Sequence, residues 1–202
     1  MSLIKLEKPD YYLKSGKMTQ PFFENAFIIE KVNTDIENTN LQGDYKEIIS
    51  LLLYINHKIK RFDDIKNVKF SRTAEQIFKS GYTSGCHDHS LVFATFARQL
   101  NIPTTMLETV AEDCLYDIKN NINNIDYVGH SFCECYINNK WILIDPTNGV
   151  IYVENYDINN IKIPFKSFKN LYSFDRCIDF SEFDVKDTKS YTDYMNNKCK
   201  SL

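Results

Sequence analysis

The chain has 202 residues, 43% of them hydrophobic, and a formal net charge of −3. That length and apolar content fit one globular domain, residues 1–202, with a core of ordinary size. The charge balance, with no basic run, excludes an electrostatic case for nucleic acid, and no apolar run approaches the length needed to cross a membrane.

The richness in Asn, Ile, Lys and Tyr, beside only 6 Gly and 5 Pro, reads as coding bias of an AT-rich genome before it reads as chemistry. The opening stretch MSLIKLEKPDYYLKSG has no apolar signal core. Cys86, Cys114, Cys133, Cys135, Cys177 and Cys199 are not spaced like a compact secreted disulfide framework. Reduced thiols and a cytoplasmic protein are therefore expected.

Residues 1–43 read as irregular, with Phe22, Phe23, Phe27, Ile28 and Ile29 as an apolar cluster packing in a short helix or strand. Gly43-Asp44 is a break. Over residues 45–59 the apolar residues Ile48, Leu51, Leu52, Tyr54 and Ile55 recur at helical spacing, and His57 and Lys58 near the end suit the helix dipole. His57 reads as an exposed helix-end residue. Residues 61–71 read as a loop or short strand. Thr73 caps a short helix over residues 73–79, with Gln76 placed to complete a capping box.

Residues 80–110 hold the first stretch with chemistry in it. Gly81 and Gly85 break what precedes, and Ser84 or Thr83 is the expected N-cap. After Cys86, Phe93, Phe96, Ala97 and Leu100 recur at helical spacing, and Pro103 stops the helix. Cys86 thus falls in the first turn, where backbone N–H groups lack intrahelical partners and the dipole is positive. A thiol there is pushed toward the thiolate, which is the nucleophile. Taken alone, a cysteine reads first as a small core residue. Tyr82 reads as a packed loop aromatic, with its hydroxyl near enough to reach Cys86. His87 and His89, two apart on a helix, point in different directions and cannot both serve one site; they read as first-turn polar residues.

Residues 104–110 read as a strand. Residues 111–128 are long, polar and Asn-rich, with Cys114, Tyr116 and Tyr127, and are expected to be a loop walling the substrate groove because they run into His130. Residues 131–137 and 140–144 are β-rich runs joined by Asn138-Asn139, which suits a two-residue hairpin turn. Paired positions then sum to 277, so His130 faces Thr147 and Asp145 faces Phe132. His130 and Asp145 become diagonal neighbours on one face, roughly 7–8 Å apart at the backbone and within side-chain reach; a one-residue slip would separate them. A His oriented by an Asp is what a Cys nucleophile needs. Residues 151–153 are β-like. Residues 161–174 mix apolar and Lys residues around Pro164. A short polar helix is expected near residues 191–197. Everything from residue 155 reads as a cover over the sheet, carrying no site.

Gly85-Cys86 opening a helix, Ile102-Pro103 leading into a strand, Gly129-His130 starting another, and Trp141 in a strand ending Asp145-Pro146-Thr147 together resemble the transglutaminase-like superfamily. These are papain-related cysteine enzymes with a Cys–His–Asp triad in that chain order. The resemblance covers about residues 70–150, and the helix over residues 45–59 resembles the one preceding the cysteine in that family. It implies an α+β fold, with the Cys86 helix packed on an antiparallel sheet. It also implies Cys86 as nucleophile, His130 as acid/base and Asp145 as orienting carboxylate; the oxyanion group is not fixed by it. The implied chemistry is acyl transfer on a peptide or protein amide through a thioester, with no metal and no organic cofactor. Hydrolysis, by a protease or amidase, is favoured over crosslinking by a transglutaminase or deamidation, because the chain lacks the extra domains of the animal crosslinking enzymes.

Two rival readings use the same residues. Cys86, His87, His89, His130, Cys133 and Cys135 include zinc-ligand types. But Cys133 and Cys135 share a strand face that His130 does not, and no Cys-x-x-Cys pair is present. Cys133 and Cys135 read better as small apolar residues packed on the Cys86 helix. The other rival is a non-catalytic module that binds a peptide or partner; all three triad positions being filled argues against it.

Overall fold

The structure, a computed structural model, describes residues 7–22, 24–39, 43, 45–61, 68–152, 156–165 and 169–202. After a 3-10 turn at Pro9–Leu13 come α1 (Glu24–Thr39), α2 (Lys46–Lys58), β1 (Lys60–Arg61), α3 (Ala74–Ser80), β2 (Tyr82–Thr83) and α4 (Cys86–Gln99). The second half holds β3 (Thr104–Ala111), α5 (Glu112–Lys119), β4 (Gly129–Ile137), β5 (Lys140–Asp145), β6 (Val150–Tyr152), β7 (Lys162–Phe165), β8 (Lys169–Cys177) and α6 (Thr188–Cys199). Strands β3 to β8 form one antiparallel sheet in the order β6-β5-β4-β3-β8-β7, while β1 and β2 make a small parallel pair. The class is α+β, with the Cys86 helix on an antiparallel sheet.

Both faces of the sheet are covered, which explains why β3 is buried along its whole length. Successive side chains of a strand point to opposite faces. Cys133 and Cys135 of β4 therefore join Met106, Ile142 and Ile144 under α4, and Phe132 joins Leu107 and Leu143 in the core beneath α5 and α6. Cys133 and Cys135 are packing residues, as their alternation implied. Phe93 and Phe96 of α4 are fully buried against α2 and α3; truncating either to Ala would cost about 3–5 kcal/mol.

The hairpin register matches the expected sum, with Ile137 paired to Lys140 and Cys133 to Ile144. Asn138 (φ 51°) and Asn139 (φ 63°) both sit in the left-handed region, which Asn tolerates and a two-residue hairpin turn of that type requires. Thr73 caps α3 and Gln76 completes the capping box. His57 is exposed in the last turn of α2.

Several segments depart from the sequence reading. Residues 24–39, read as part of an irregular region, form α1, which buries Val32 and Ile36 at helical spacing. Its polar density hides that narrow stripe. Phe22 packs on Phe78 and Phe96, whereas Phe23 and the side chains of Phe27 and Ile28 lie outside the described residues. Residues 112–119, read as loop, form α5: Glu112 and Asp113 favour its first turn, and Cys114, Leu115 and Ile118 make its buried face. The third departure is the role of the chain after residue 155. It is no mere cover, because β7 and β8 complete the sheet and β8 lies beside β3. The β8 pattern is obscured by charge: Arg176 is 7% exposed at its side chain and binds Glu134 of β4 through Nε (2.6 Å) and Nη2 (2.8 Å). The helix expected near residues 191–197 is longer, beginning at Thr188, where Asp187 and Ser190 form a capping box. Val153 and residues 62–67 lie outside the described residues.

Candidate active site

Helix α4 opens at Cys86 behind Gly85, whose extended backbone supplies no side-chain cap. The expected cap is reversed. Asp88, inside the first turn, accepts the backbone N–H (2.7 Å) and hydroxyl (2.8 Å) of Ser84 and binds Arg72. The loop before Cys86 is thus tied to the helix that carries it. A Cβ on Gly85 would come within 3.2 Å of His87 Nδ1, so the small residue there answers a close approach.

His130 is brought up by β4. Its backbone is gripped by Thr109 of β3, which donates its hydroxyl to the His130 carbonyl (2.8 Å) and accepts the His130 N–H (3.2 Å). Gly129 permits this. A Cβ there would sit 2.2 Å from the Thr109 carbonyl oxygen, so the Gly-His pair has a steric cause. The imidazole packs edge-on to Phe132 (4.7 Å between centroids) and beside Phe165 (5.3 Å).

The sulfur of half-buried Cys86 receives the Ser131 backbone N–H at 3.4 Å and shares one cleft with His130. His130 Nε2 lies 3.0 Å from Asp145 Oδ1. The ring N–H is not aligned on that oxygen, so the contact is an ion pair more than a directed hydrogen bond. Asp145 is fully buried at the end of β5. Its carboxylate is held by the turn that follows: Oδ1 accepts the N–H groups of Thr147 and Asn148 (3.1 Å each), and Oδ2 accepts Asn148 Nδ2 (2.7 Å). The structure therefore brings Cys86 and His130 to one cleft and sets Asp145 behind the imidazole.

The electrostatics follow from these contacts. Burial pushes the Cys86 thiol up, but the hydrogen bond and charge of His130 outweigh it and bring the thiol down to about 6. Burial also opposes the imidazolium, yet Asp145 and the sulfur raise His130 to about 10. Between those values the pair is thiolate and imidazolium, titrating as one coupled system. For Asp145, burial works against the anion, and His130 with Asn148 reverses that and lowers its pKa.

Behind Cys86 lies a residue the sequence reading missed. Glu108 of β3 is fully buried; its Oε2 accepts the Ser131 hydroxyl (3.0 Å) and the Tyr191 hydroxyl (2.8 Å), and its Oε1 has no hydrogen-bond partner among the described residues. Burial first, then the nearby Cys86 sulfur, pushes its carboxyl up to about 7 against the pull of those donors. A Glu inside the otherwise uncharged strand TTMLETVA was the available signal. Tyr191 stacks on Phe70, and Phe70 stacks on His87, each at 4.1 Å.

A cleft of about 180 Å³ opens over Cys86 and His130. Tyr127 lines it, so part of the stretch expected to wall the groove does so, but α6 supplies Thr188, Tyr191, Thr192 and Met195. The chain beyond residue 155 thus reaches the site. Tyr82 is 46% exposed and does not line the cleft. His87 and His89 are buried, each 3% exposed, rather than polar surface of the first turn, and only His87 faces the cleft. Among the described residues, no three His, Cys, Asp or Glu side chains converge in a way that would hold a metal ion.

The sequence model of the family described as the transglutaminase-like superfamily matches residues 32–146, a span that contains Cys86, His130 and Asp145. A candidate cysteine protease from Cytophaga hutchinsonii, solved at 1.9 Å, shares the fold with a TM-score of 0.57 at 16% identity. The match covers 92% of this chain and 52% of that one, so the chain spans about half the length of that protein. No curated protein matches the sequence.

Proposed function

The chain belongs to the transglutaminase-like superfamily, and on that premise we propose that it is a cysteine-nucleophile acyl-transfer enzyme, a protease or amidase, with Cys86, His130 and Asp145 as its triad. One observation carries this reading: Cys86 shares a cleft with an imidazole whose Nε2 lies 3.0 Å from a fully buried carboxylate.

In the resting state the thiol proton resides on His130. The thiolate attacks the carbonyl carbon of an amide, and the carbonyl oxygen becomes an oxyanion. The Cys86 N–H, which has no intrahelical partner in the first turn of α4, supplies one donor to that oxygen. His130 then gives its proton to the departing amine as the C–N bond breaks, leaving a thioester on Cys86. Water, deprotonated by His130, attacks the thioester and releases the acid, and the thiolate–imidazolium pair is restored. Asp145 fixes the ring and balances its charge throughout.

Hydrolysis is preferred to transfer onto a lysine amine because the protein with the shared fold is described as a candidate cysteine protease. The substrate is a peptide or protein amide, and nucleic acid and membrane are not proposed partners. We take residues 1–202 as one domain acting in the cytoplasm. The six cysteines, all free thiols, agree with a reducing compartment, and no helix among the described residues is long and apolar enough to cross a membrane.

The test is a search for the acyl-enzyme. Peptide libraries are incubated with the protein, quenched in acid and mapped by mass spectrometry. A thioester on Cys86, absent from Cys86→Ala, and new peptide termini are expected. Mass added to substrate lysines in place of new termini would shift the assignment to crosslinking. No adduct on Cys86 with any amide would overturn the enzyme reading.

A further inference from the structure

A second cavity of about 520 Å³ adjoins the cleft over Cys86. Phe70 borders both openings, with its ring clamped between His87 and Tyr191. Along the chain, Lys69 and Thr188 line the narrow opening, while Ser71 and residues 184–186 line the wide one, so Phe70 is the residue the two share. The two openings form one trough, with Cys86 and His130 at its narrow end and Met18 and Val185 in its wide end. Its wide end alone falls within the range of about 300–1,000 Å³ usual for ligand cavities.

The charge of this trough runs against that of the chain. The chain carries −3, yet among the described residues the trough presents Lys17, Lys69 and Lys186 against Asp184. Lys17 and Lys186 are exposed and Lys69 is half-buried. The neighbouring Asp187 turns its carboxylate to the first turn of α6, where it accepts Ser190 N–H and hydroxyl (2.7 Å each). Met18, Phe70 and Val185 give the trough an apolar floor, and Ser71 and Ser181, whose hydroxyls donate to Val68 and Asp179, leave it oxygens that can accept a backbone N–H. A cleft lined by one sign of charge raises the local concentration of the opposite sign and speeds its capture.

Resting on the reading of Cys86 as the acyl-transfer nucleophile, we infer that this trough receives an acidic stretch of peptide or protein flanking the scissile amide, its carboxylates meeting Lys17, Lys69 and Lys186. Specificity then comes from charge along the trough and reactivity from its narrow end. Screened charges lose their reach over about 8 Å at physiological salt, so the preference weakens as salt rises.

The experiment uses the full chain carrying Cys86→Ala, which binds without turnover. Three labelled peptides of equal length, rich in Glu, Gln or Lys, are titrated by fluorescence anisotropy at low and high salt. The Glu peptide is expected to bind on the order of tenfold tighter than the Gln peptide, with the gap narrowing in high salt. Adding Lys17→Glu with Lys186→Glu is expected to abolish the gap, and Lys17→Gln with Lys186→Gln to reduce it. Both side chains are exposed, and an unchanged Tm shows that the variants fold. Equal binding of the three peptides, or an acidic preference that survives charge reversal, overturns the inference. If wild-type Cys86 forms no acyl-enzyme, the enzyme reading fails while this binding comparison still reads out; if acyl-enzyme forms with no acidic preference, only the trough inference fails.

Discussion

Asp145 Oδ1 sits 3.0 Å from His130 Nε2 and at the same time accepts two backbone N–H groups from the turn after β5. The carboxylate is therefore oriented by its own turn before it meets the imidazole. A residue held in this way loses little freedom on binding its partner, which is how a preorganised site holds charge at low cost.

Asp145→Asn keeps an oxygen for the Thr147 and Asn148 N–H groups but removes the charge facing His130. Turnover is expected to fall by about 10²–10⁴ with KM little changed, a smaller loss than for Cys86→Ala. The same variant should move the thiol titration upward, since the imidazolium that lowers it is less stable. Steady-state kinetics with a peptide ester or amide reads the first effect; a full-rate Asp145→Asn enzyme would remove Asp145 from the mechanism.

Iodoacetamide labelling tests the thiolate directly. Only the anion reacts, and the thiol of Cys86 is lowered to about 6, so labelling should rise through a half-point near that pH. Above that half-point it should change only in a small step as Glu108 ionises at about 7, until His130 loses its proton at about 10. Burial pushes the other five thiols up, Cys135 and Cys199 to about 12, and they should stay unlabelled at pH 6–7. A half-point for Cys86 at the ordinary thiol value of about 8.5 would contradict the activated pair.

Glu108 separates charge from packing. Glu108→Gln retains an oxygen for the Ser131 and Tyr191 hydroxyls and removes a negative charge that opposes the thiolate. Glu108 is mainly protonated at the Cys86 half-point near 6, so that half-point should hold, while the step that Glu108 ionisation imposes near pH 7 should vanish from the labelling profile. Glu108→Ala strands two buried hydroxyls and should cost about 1–3 kcal/mol in chemical unfolding. Identical pH profiles for wild type and Glu108→Gln would show that the carboxyl does not sense the sulfur.

Gly129→Ala tests why glycine precedes His130. The added Cβ meets the Thr109 carbonyl oxygen at 2.2 Å, and a backbone atom cannot swing aside. The strands should part at His130, with stability falling by about 1–3 kcal/mol and turnover falling more than stability explains. Thermal melts alongside kinetics distinguish this from an unperturbed site.

Local chemistry was legible from the sequence. The helix over Cys86, the capping box at Thr73, the Asn138-Asn139 turn and the hairpin register all depend on residues within a few positions of each other, where periodicity and turn preference act directly. Register alone sufficed to put His130 and Asp145 on one face. Tertiary structure decided what depends on pairing across long separations. Strand β8 joins β3 across a long stretch of chain, as in the pairing of Met106 with Cys177, and its buried Arg176 is stable there only because Glu134 meets it. Glu108 becomes a neighbour of Cys86 because Ser131 and Tyr191, from two other elements, satisfy it. A buried charge has no local signature of its partner. Its desolvation is tolerated only once the rest of the fold brings that partner within bonding distance, and that is why this part of the site appears only in the folded chain.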